Sequence, residues 1–421
     1  MSLQGPIVVV AEQPAAGLVQ ALGAAGAFPI VETTWTDAPT AFVAVKPTAV
    51  VIAEPGPPKS ESSARMLCLQ IATAGGPLVP TLAVTQGAMD AAIPVALPAD
   101  ASLPLERLIA RLQSAMRVRA LHATVLRRIE TFAPQAGKVP ALPVGDALDD
   151  ATVLIAGRGP LYPALSVAIG ERMHMLGGLS VESAAKHLAA RDIDGIVVGD
   201  GFSSRMVEAF LTLLAQDTRF RDIPVAVIGE APPDFAAVLP NIDHVDPDPA
   251  RIVARMVPLV RMHAFEARLK RMLKSLDAGG TYDPQTGLLT RDCFFRDLAR
   301  TIGEAANQSQ ALSVARFAFD DARDSRGAFD RARLVTRFIR AIDFATAEDD
   351  GAILVAFTQT DLRRAHVVVR RIAAGLRKAV GMPTRPNDTI TANVTLATLK
   401  AGDSLDSLMA RVMGAKVVAA E

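Results

Sequence analysis

Cysteine is scarce in this chain: Cys68 and Cys293 are the only two among 421 residues. Two thiols cannot build a disulfide framework or a cysteine-ligated metal site, and such sparing use fits a reducing cytoplasm. Net charge is missing as well. The 44 Lys and Arg are balanced by 44 Asp and Glu, which excludes broad electrostatic attraction to nucleic acid or a membrane surface. No stretch approaches the ~20 uninterrupted apolar residues of a membrane span. Met1-Ser2-Leu3-Gln4-Gly5-Pro6 has no basic region leading into an apolar core, so it does not read as a signal peptide. These absences predict a cytoplasmic protein with neither a membrane span nor a nucleic-acid partner. What the chain does have is apolar residues, 50% of the total, and length for several cores at about 100–200 residues per domain.

The apolar residues fall into short runs separated by helical patterns. Ile7–Val10, Ala49–Ala53 and Pro80–Thr85 read as buried strands, and Leu18–Gly26 and Ser60–Ala74 as helices. From Leu105 a long helix continues through Arg128 with Leu108, Leu112 and Met116 on one stripe. Its arginines (Arg111, Arg117, Arg119, Arg127 and Arg128) are expected on a solvated face. Residues 132–148 are rich in Pro and Gly and read as a linker. The pattern then repeats with strands at Thr152–Ala156, Gly195–Val198 and Pro224–Ile228, and a last helix from about Ala250 through Lys274, interrupted at Pro258. Continuous apolar strands alternating with helices predict parallel sheets covered on both faces. A third module from Tyr282 alternates less regularly and suits an α+β sheet. Its strands are read at Ser313–Phe319, Ala352–Phe357 and Thr389–Leu396, and its helices at Arg291–Ala305, Asp330–Ala341 and Asp361–Val380. The expected division is 1–131, 149–277 and 278–421: two flavodoxin-like α/β domains followed by an α+β domain.

The first two modules resemble the receiver domains of response regulators. That family holds Mg²⁺ with an acidic pair after its first strand and accepts phosphate on an Asp ending the third. A Thr or Ser and a Lys complete the site. In the first copy the acidic pair becomes Ala11-Glu12, the acceptor position Ala53 beside Glu54, and the Lys position Leu97, while Thr85 is in place. In the second, Gly157-Arg158 replaces the pair and Gly199 the acceptor, with the Thr and Lys positions near Gly229 and Asp246. Asp200 reads either as a shifted acceptor or as a loop residue, and without a metal-binding pair beside it the loop reading is preferred. The resemblance thus implies receivers without phosphorylation, suited to dimerisation or partner docking.

Tyr282-Asp283-Pro284-Gln285-Thr286-Gly287-Leu288-Leu289-Thr290-Arg291 resembles the opening of GGDEF domains, with Asp283, Thr286, Gly287, Leu288 and Arg291 matching and Gln285 and Thr290 departing. The receiver–receiver–GGDEF order is that of one type of diguanylate cyclase. Such cyclases join two GTP molecules into cyclic di-GMP using two divalent cations held by carboxylates. Here the metal-binding Asp position falls on Ala318, with Asp320 two residues on, and the essential acid of the signature turn falls on Gly351 within Asp349-Asp350-Gly351-Ala352-Ile353. Asp349 and Asp350 are read as turn residues, since Asp-Gly favours a type I′ hairpin. The guanine-pocket segment is shortened at 321–330, and only Lys416 remains of the C-terminal phosphate cations. The resemblance implies a fold kept without catalysis: no catalytic residue, no metal and no cofactor.

Arg340-Ala341-Ile342-Asp343 stands just before that turn, where the family places its product-binding Arg-x-x-Asp. The guanidinium fork suits the O6/N7 edge of guanine or a phosphate, and the carboxylate suits guanine N1–H and N2–H₂. A second Arg from a nearby helix is expected at Arg371, with Arg370 adjacent and Arg377 two turns on. The pattern itself recurs at Arg191–Asp194 and Arg219–Asp222 and carries no weight there. Read from the residues alone, Arg340 and Asp343 also fit an exposed i,i+3 ion pair, worth about a few tenths of a kcal/mol. The resemblance implies a cyclic di-GMP receptor that acts on protein partners: protease adaptors and a client regulator, in cell-cycle control by regulated proteolysis. It also implies a cytoplasmic homodimer formed through the receiver-like domains and placed at a cell pole. The alternative is a ligand-independent dimeric scaffold.

Overall fold

The computed structural model describes residues 3–53, 58, 60–85, 96–132, 145–229, 235, 237–308, 311–319, 325–340, 342–379 and 392–414. The chain forms two compact units, Met1–Glu130 with Val144–Leu269, and Thr131–Pro143 with Lys270–Glu421.

The first unit holds two copies of one motif. The first runs β1 (Gln4–Val10), α1 (Ala16–Ala24), β2 (Phe28–Thr33), α2 (Ala38–Val45), β3 (Ala49–Ile52), α3 (Glu61–Thr73), β4 (Thr81–Thr85), β5 (Leu97–Asp100) and α4 (Leu105–Phe132). Its parallel sheet has the order β2-β1-β3-β4-β5. The second runs β6 (Thr152–Ala156), α5 (Tyr162–Gly170), β7 (His174–Gly178), α6 (Val181–Ala190), β8 (Gly195–Val198), α7 (Ser204–Gln216), β9 (Val225–Ile228), β10 (Ile242–Val245) and α8 (Pro249–Asp277). Its order is β10-β9-β8-β6-β7, again parallel. Both are the flavodoxin-like 2-1-3-4-5 arrangement. The central strands are apolar on both faces because helices cover both; all four residues of β3 and of β8 are buried. Ser60, Ser180 and Ser203 start α3, α6 and α7 by accepting from the backbone N–H three residues on.

Two expectations about the long helices are corrected. The arginines of α4 are not a solvated face. Arg111 is 4% exposed and makes a two-pronged pair with Asp243 of β10, at 2.8 and 3.2 Å. Arg117 and Ser114 both bind the Asp222 carboxylate, and Arg119 donates to the carbonyls of Pro77 and Leu78. Arg128 is exposed, and the side chain of Arg127 lies outside the described residues. The reason is packing: α4 and α8 share a core in which Leu112 and Leu259 are buried together. That core draws the fifth strand of each motif under the other motif's last helix. Arg255, on α8, reaches Asp243 at 3.0 Å and Asp100 of β5 at 3.6 Å. Arg111 and Arg255 therefore make reciprocal contacts, in the manner of an isologous pair within one chain. The other correction is that α8 runs uninterrupted through Pro258. The ring removes one backbone hydrogen bond, while Leu259 and Val260 beside it are buried and hold the helix in place.

The second unit contains α9 (Arg291–Gln308), β11 (Leu312–Phe319), α10 (Ser325–Phe338), β12 (Phe344–Ala347), β13 (Ile353–Thr358), α11 (Leu362–Ala379), β14 (Ala392–Thr398) and α12 (Leu405–Val412). From β11 onward this is a βαββαβ core, with the antiparallel order β12-β13-β11-β14. One face packs Phe317, Val335, Val355 and Ile372, and the other Phe294, Val314, Leu354 and Leu408. The fold is thus α/β, with two receiver-like domains followed by a GGDEF-like one.

Candidate functional site

The Arg340 segment lies off the helix on which it is expected. α10 ends at Phe338, and the chain turns before entering β12. The turn is closed twice: Asp343 N–H donates to the Arg340 carbonyl at 3.0 Å, and Arg340 N–H donates to Asp343 Oδ2 at 3.0 Å. The other carboxylate oxygen, Oδ1, accepts from Thr358 N–H at 3.0 Å and from its hydroxyl at 3.4 Å. Asp343 therefore fastens the end of α10 to the end of β13, the neighbour of β12. The alternative reading of the two side chains as an i,i+3 ion pair is not what forms: Asp343 binds backbone N–H groups and Thr358 instead. Arg340 is exposed, and no described residue binds its guanidinium.

Arg371, on α11, comes to the same turn. Its Nη2 donates to the Phe338 carbonyl at 3.0 Å, and its guanidinium carbon lies 6.0 Å from the centre of the Phe338 ring. The ring lies over Gly375, where a Cβ would come within 2.5 Å of it. Glycine at 375 is therefore what lets the end of α10 settle on α11. Sequence reasoning named Arg340, Asp343 and Arg371 but missed Thr358, Phe338 and Gly375, which position them. Arg370 is exposed like Arg371 but makes no contact with this turn among the described residues, and the side chain of Arg377 lies outside them.

The hairpin after the site is not the two-residue type I′ turn expected. Glu348 N–H donates to the Ala352 carbonyl, and Gly351 N–H donates to the Glu348 carbonyl. Three residues, Asp349, Asp350 and Gly351, form the loop, and only Gly351 is left-handed, at φ 79°. This is a type I turn closed by a glycine bulge; Asp350 holds it by accepting from Ala352 N–H at 3.0 Å. Arg316, on the same face of β11 as Ala318, pairs with Glu348 at 2.7 Å and with Asp350. A cation from the chain thus faces the hairpin acids. Asp320 and Lys416 lie outside the described residues.

The Asp283–Arg291 motif is a self-closed loop. Asp283 accepts from Thr286 N–H at 2.8 Å and from its hydroxyl, and Gly287 supplies a left-handed residue at φ 71°. In the first receiver-like domain Glu12 accepts from Trp35 N–H at 3.1 Å, and Glu54 lies outside the described residues. In the second, Asp200 is packed onto Gly159, with Oδ2 accepting from Leu161 N–H at 3.4 Å and its backbone carbonyl accepting from Arg158 and Gly159 N–H. These contacts account for Asp200 as a residue that joins two loops.

No family model and no curated protein matches the sequence. Among solved structures the chain is similar to the coiled coil and GGDEF domain of DgcB from Caulobacter crescentus, in complex with c-di-GMP: 20% identity, 35% of this chain, 84% of that chain, TM-score 0.31. It is also similar to the diguanylate cyclase SiaD of Pseudomonas aeruginosa in complex with its activator SiaC, at 20% identity over 35% of this chain and 64% of that chain, TM-score 0.29. A third is the FimX GGDEF domain of the same organism, at 14% identity over 32% of this chain and 90% of that chain, TM-score 0.29. Among the described residues no helix is long and apolar enough to cross a membrane.

Proposed function

We propose that the protein is a cyclic di-GMP receptor without cyclase activity, binding the dinucleotide at Arg340, Asp343 and Arg371. The observation that carries the reading is the exposed Arg340 guanidinium, without a partner among the described residues, on a turn that Asp343 and Thr358 hold closed. Arg371 is anchored on the same turn. A fixed backbone presenting one free guanidinium and one tethered beside it suits a guanine edge or phosphate. Asp343 already accepts three hydrogen bonds, so its remaining acceptor capacity serves the ligand. Loss of catalysis rests on Ala318 and Gly351 at the expected metal positions, and on Arg316 neutralising the acids that remain. The test is incubation with GTP and Mg²⁺. The expected result is no cyclic di-GMP; turnover that Gly351→Val removes would overturn this half of the reading.

At a finer level, the chain resembles PopA-type proteins, degenerate paralogues of the PleD diguanylate cyclase. On that resemblance, ligand binding recruits protease adaptors and a client regulator to the ClpXP pathway at a cell pole, in cell-cycle control. A homodimer formed through the receiver-like domains would use faces other than α4–β5 and α8–β10, which are engaged within the chain. Exposed Val43 on α2, with Met66 and Leu69 on α3, offers such a face. One observation favours the ligand-independent scaffold: the Asp343 carboxylate has a complete structural role with no ligand. Cyclic di-GMP binding that Arg340→Ala removes supports the receptor, whereas no binding by the unaltered chain supports the scaffold.

A further inference from the structure

We propose that the first unit carries a second binding site, for a small, neutral, mainly apolar molecule with a hydrogen-bond acceptor. The site is a cavity of about 410 Å³ bordered by α3, α4 and α8. That is more than twice the ~150 Å³ of an apolar cavity known to take up benzene, and it falls among ordinary ligand pockets. Leu78, Val79, Pro258, Met262 and Phe265 form much of its wall.

Two polar groups interrupt the apolar lining. Thr81, the first residue of β4, is 2% exposed, and its hydroxyl has no hydrogen-bond partner. His122, on α4, accepts the Leu78 N–H on Nδ1 at 3.0 Å. That bond fixes the tautomer and leaves the ring proton on Nε2 as a donor. The ring stands edge-on to Phe265, with centroids 5.1 Å apart. Burial, helped by the nearby Arg119 charge, pushes the imidazole pKa down and keeps the ring neutral. A buried hydroxyl without a partner costs free energy in an apolar wall, while the half-buried His122 ring offers a second donor. A carbonyl-bearing ligand would satisfy the hydroxyl.

The charge of the ligand follows from the rim. Asp146 and Arg261 are the charged residues lining the cavity, and they pair with each other at 2.9 Å. Among the described lining residues no charged side chain is left unpaired, so a neutral occupant fits the lining. Its volume suits a two-ring compound. The cavity lies by the first residue of β4 and the turn before β6, at the opposite strand ends from the loops where receiver carboxylates align.

The test uses 6-propionyl-2-(dimethylamino)naphthalene, a neutral naphthyl ketone whose emission reports both apolarity and hydrogen bonding. It is titrated into the full chain. The expected result is saturable, blue-shifted emission with one site per chain. Met262→Trp fills the cavity and should abolish saturation. Thr81→Val keeps the side-chain shape and should weaken binding roughly tenfold, the loss of one buried hydrogen bond. If Met262→Trp no longer unfolds cooperatively, Thr81→Val decides alone. No saturable shift up to the solubility limit of the dye, or binding that Thr81→Val leaves unchanged, overturns the proposal.

Discussion

Asp343 and Arg340 divide the work at the turn. The carboxylate makes the turn, and the guanidinium is exposed without a partner among the described residues. Arg340→Ala should therefore leave stability within about 0.5 kcal/mol, as for other exposed positions, while removing cyclic di-GMP binding. Asp343→Ala strips acceptors from Arg340 N–H and Thr358 N–H together and should cost about 1–3 kcal/mol; urea unfolding monitored in the third domain measures it. Asp343→Asn keeps an amide oxygen for one of the two donors and should cost less. A fall in stability after Arg340→Ala equal to that of Asp343→Ala would show that the guanidinium has a structural partner. The two residues were legible as a spaced pair, because family resemblance fixes the place of the motif. Their separate roles were not, since the second partner of Asp343, Thr358, lies across the hairpin, 15 positions on.

Among the elements, strands were legible according to their place in the sheet. β3, β4, β8 and β9 lie inside their sheets and read as plain apolar runs. The strands that escaped detection, β2, β5, β7, β10 and β12, are all edges. Four of them, β2, β5, β7 and β10, carry Pro29, Pro98, Gly177 and Gly178, or Asp243, residues an edge tolerates because one side of the ladder is unpaired. The arginines of α4 illustrate a different limit. Helical periodicity separates an apolar stripe from a charged one, but the Asp243 partner of Arg111 lies 132 positions away in the other motif. No local pattern distinguishes such an arginine from a solvated one. The buried pair makes a sharp prediction. Arg111→Met alone strands the Asp243 carboxylate, although Arg255 still contacts it, and should cost about 3–5 kcal/mol. Arg111→Met with Asp243→Leu should recover most of that loss. Thermal unfolding of the two variants decides it, and equal destabilisation by both would show that the pair itself, not the stranded charge, carries the energy.

For the molecule as a whole, pH offers a handle on the first unit separate from the ligand. Burial lowers the pKa of both His122 and His187, with Arg119 and Arg191 adding to it. The unfolded chain binds these protons at higher pH than the folded one, so stability rises with pH through the window between the two states. The first unit should lose stability as pH falls below about 6.5, the ordinary histidine value, and level off once the folded imidazoles also titrate. His122→Phe should reduce the slope and leave the His187 share. The acids act lower: Asp146, where burial is outweighed by its bonds to Arg261 and the Leu148 N–H, is held below the usual carboxylate range, so its contribution is lost only in more acidic solution. The central claim concerns the third domain, and titration calorimetry of cyclic di-GMP into the full chain tests it most directly. Saturable heat at micromolar ligand that disappears in Arg340→Ala and weakens in Arg371→Ala, with stability intact in both, is the predicted result. No heat from the unaltered chain at tens of micromolar, or equal heat from Arg340→Ala, would contradict it.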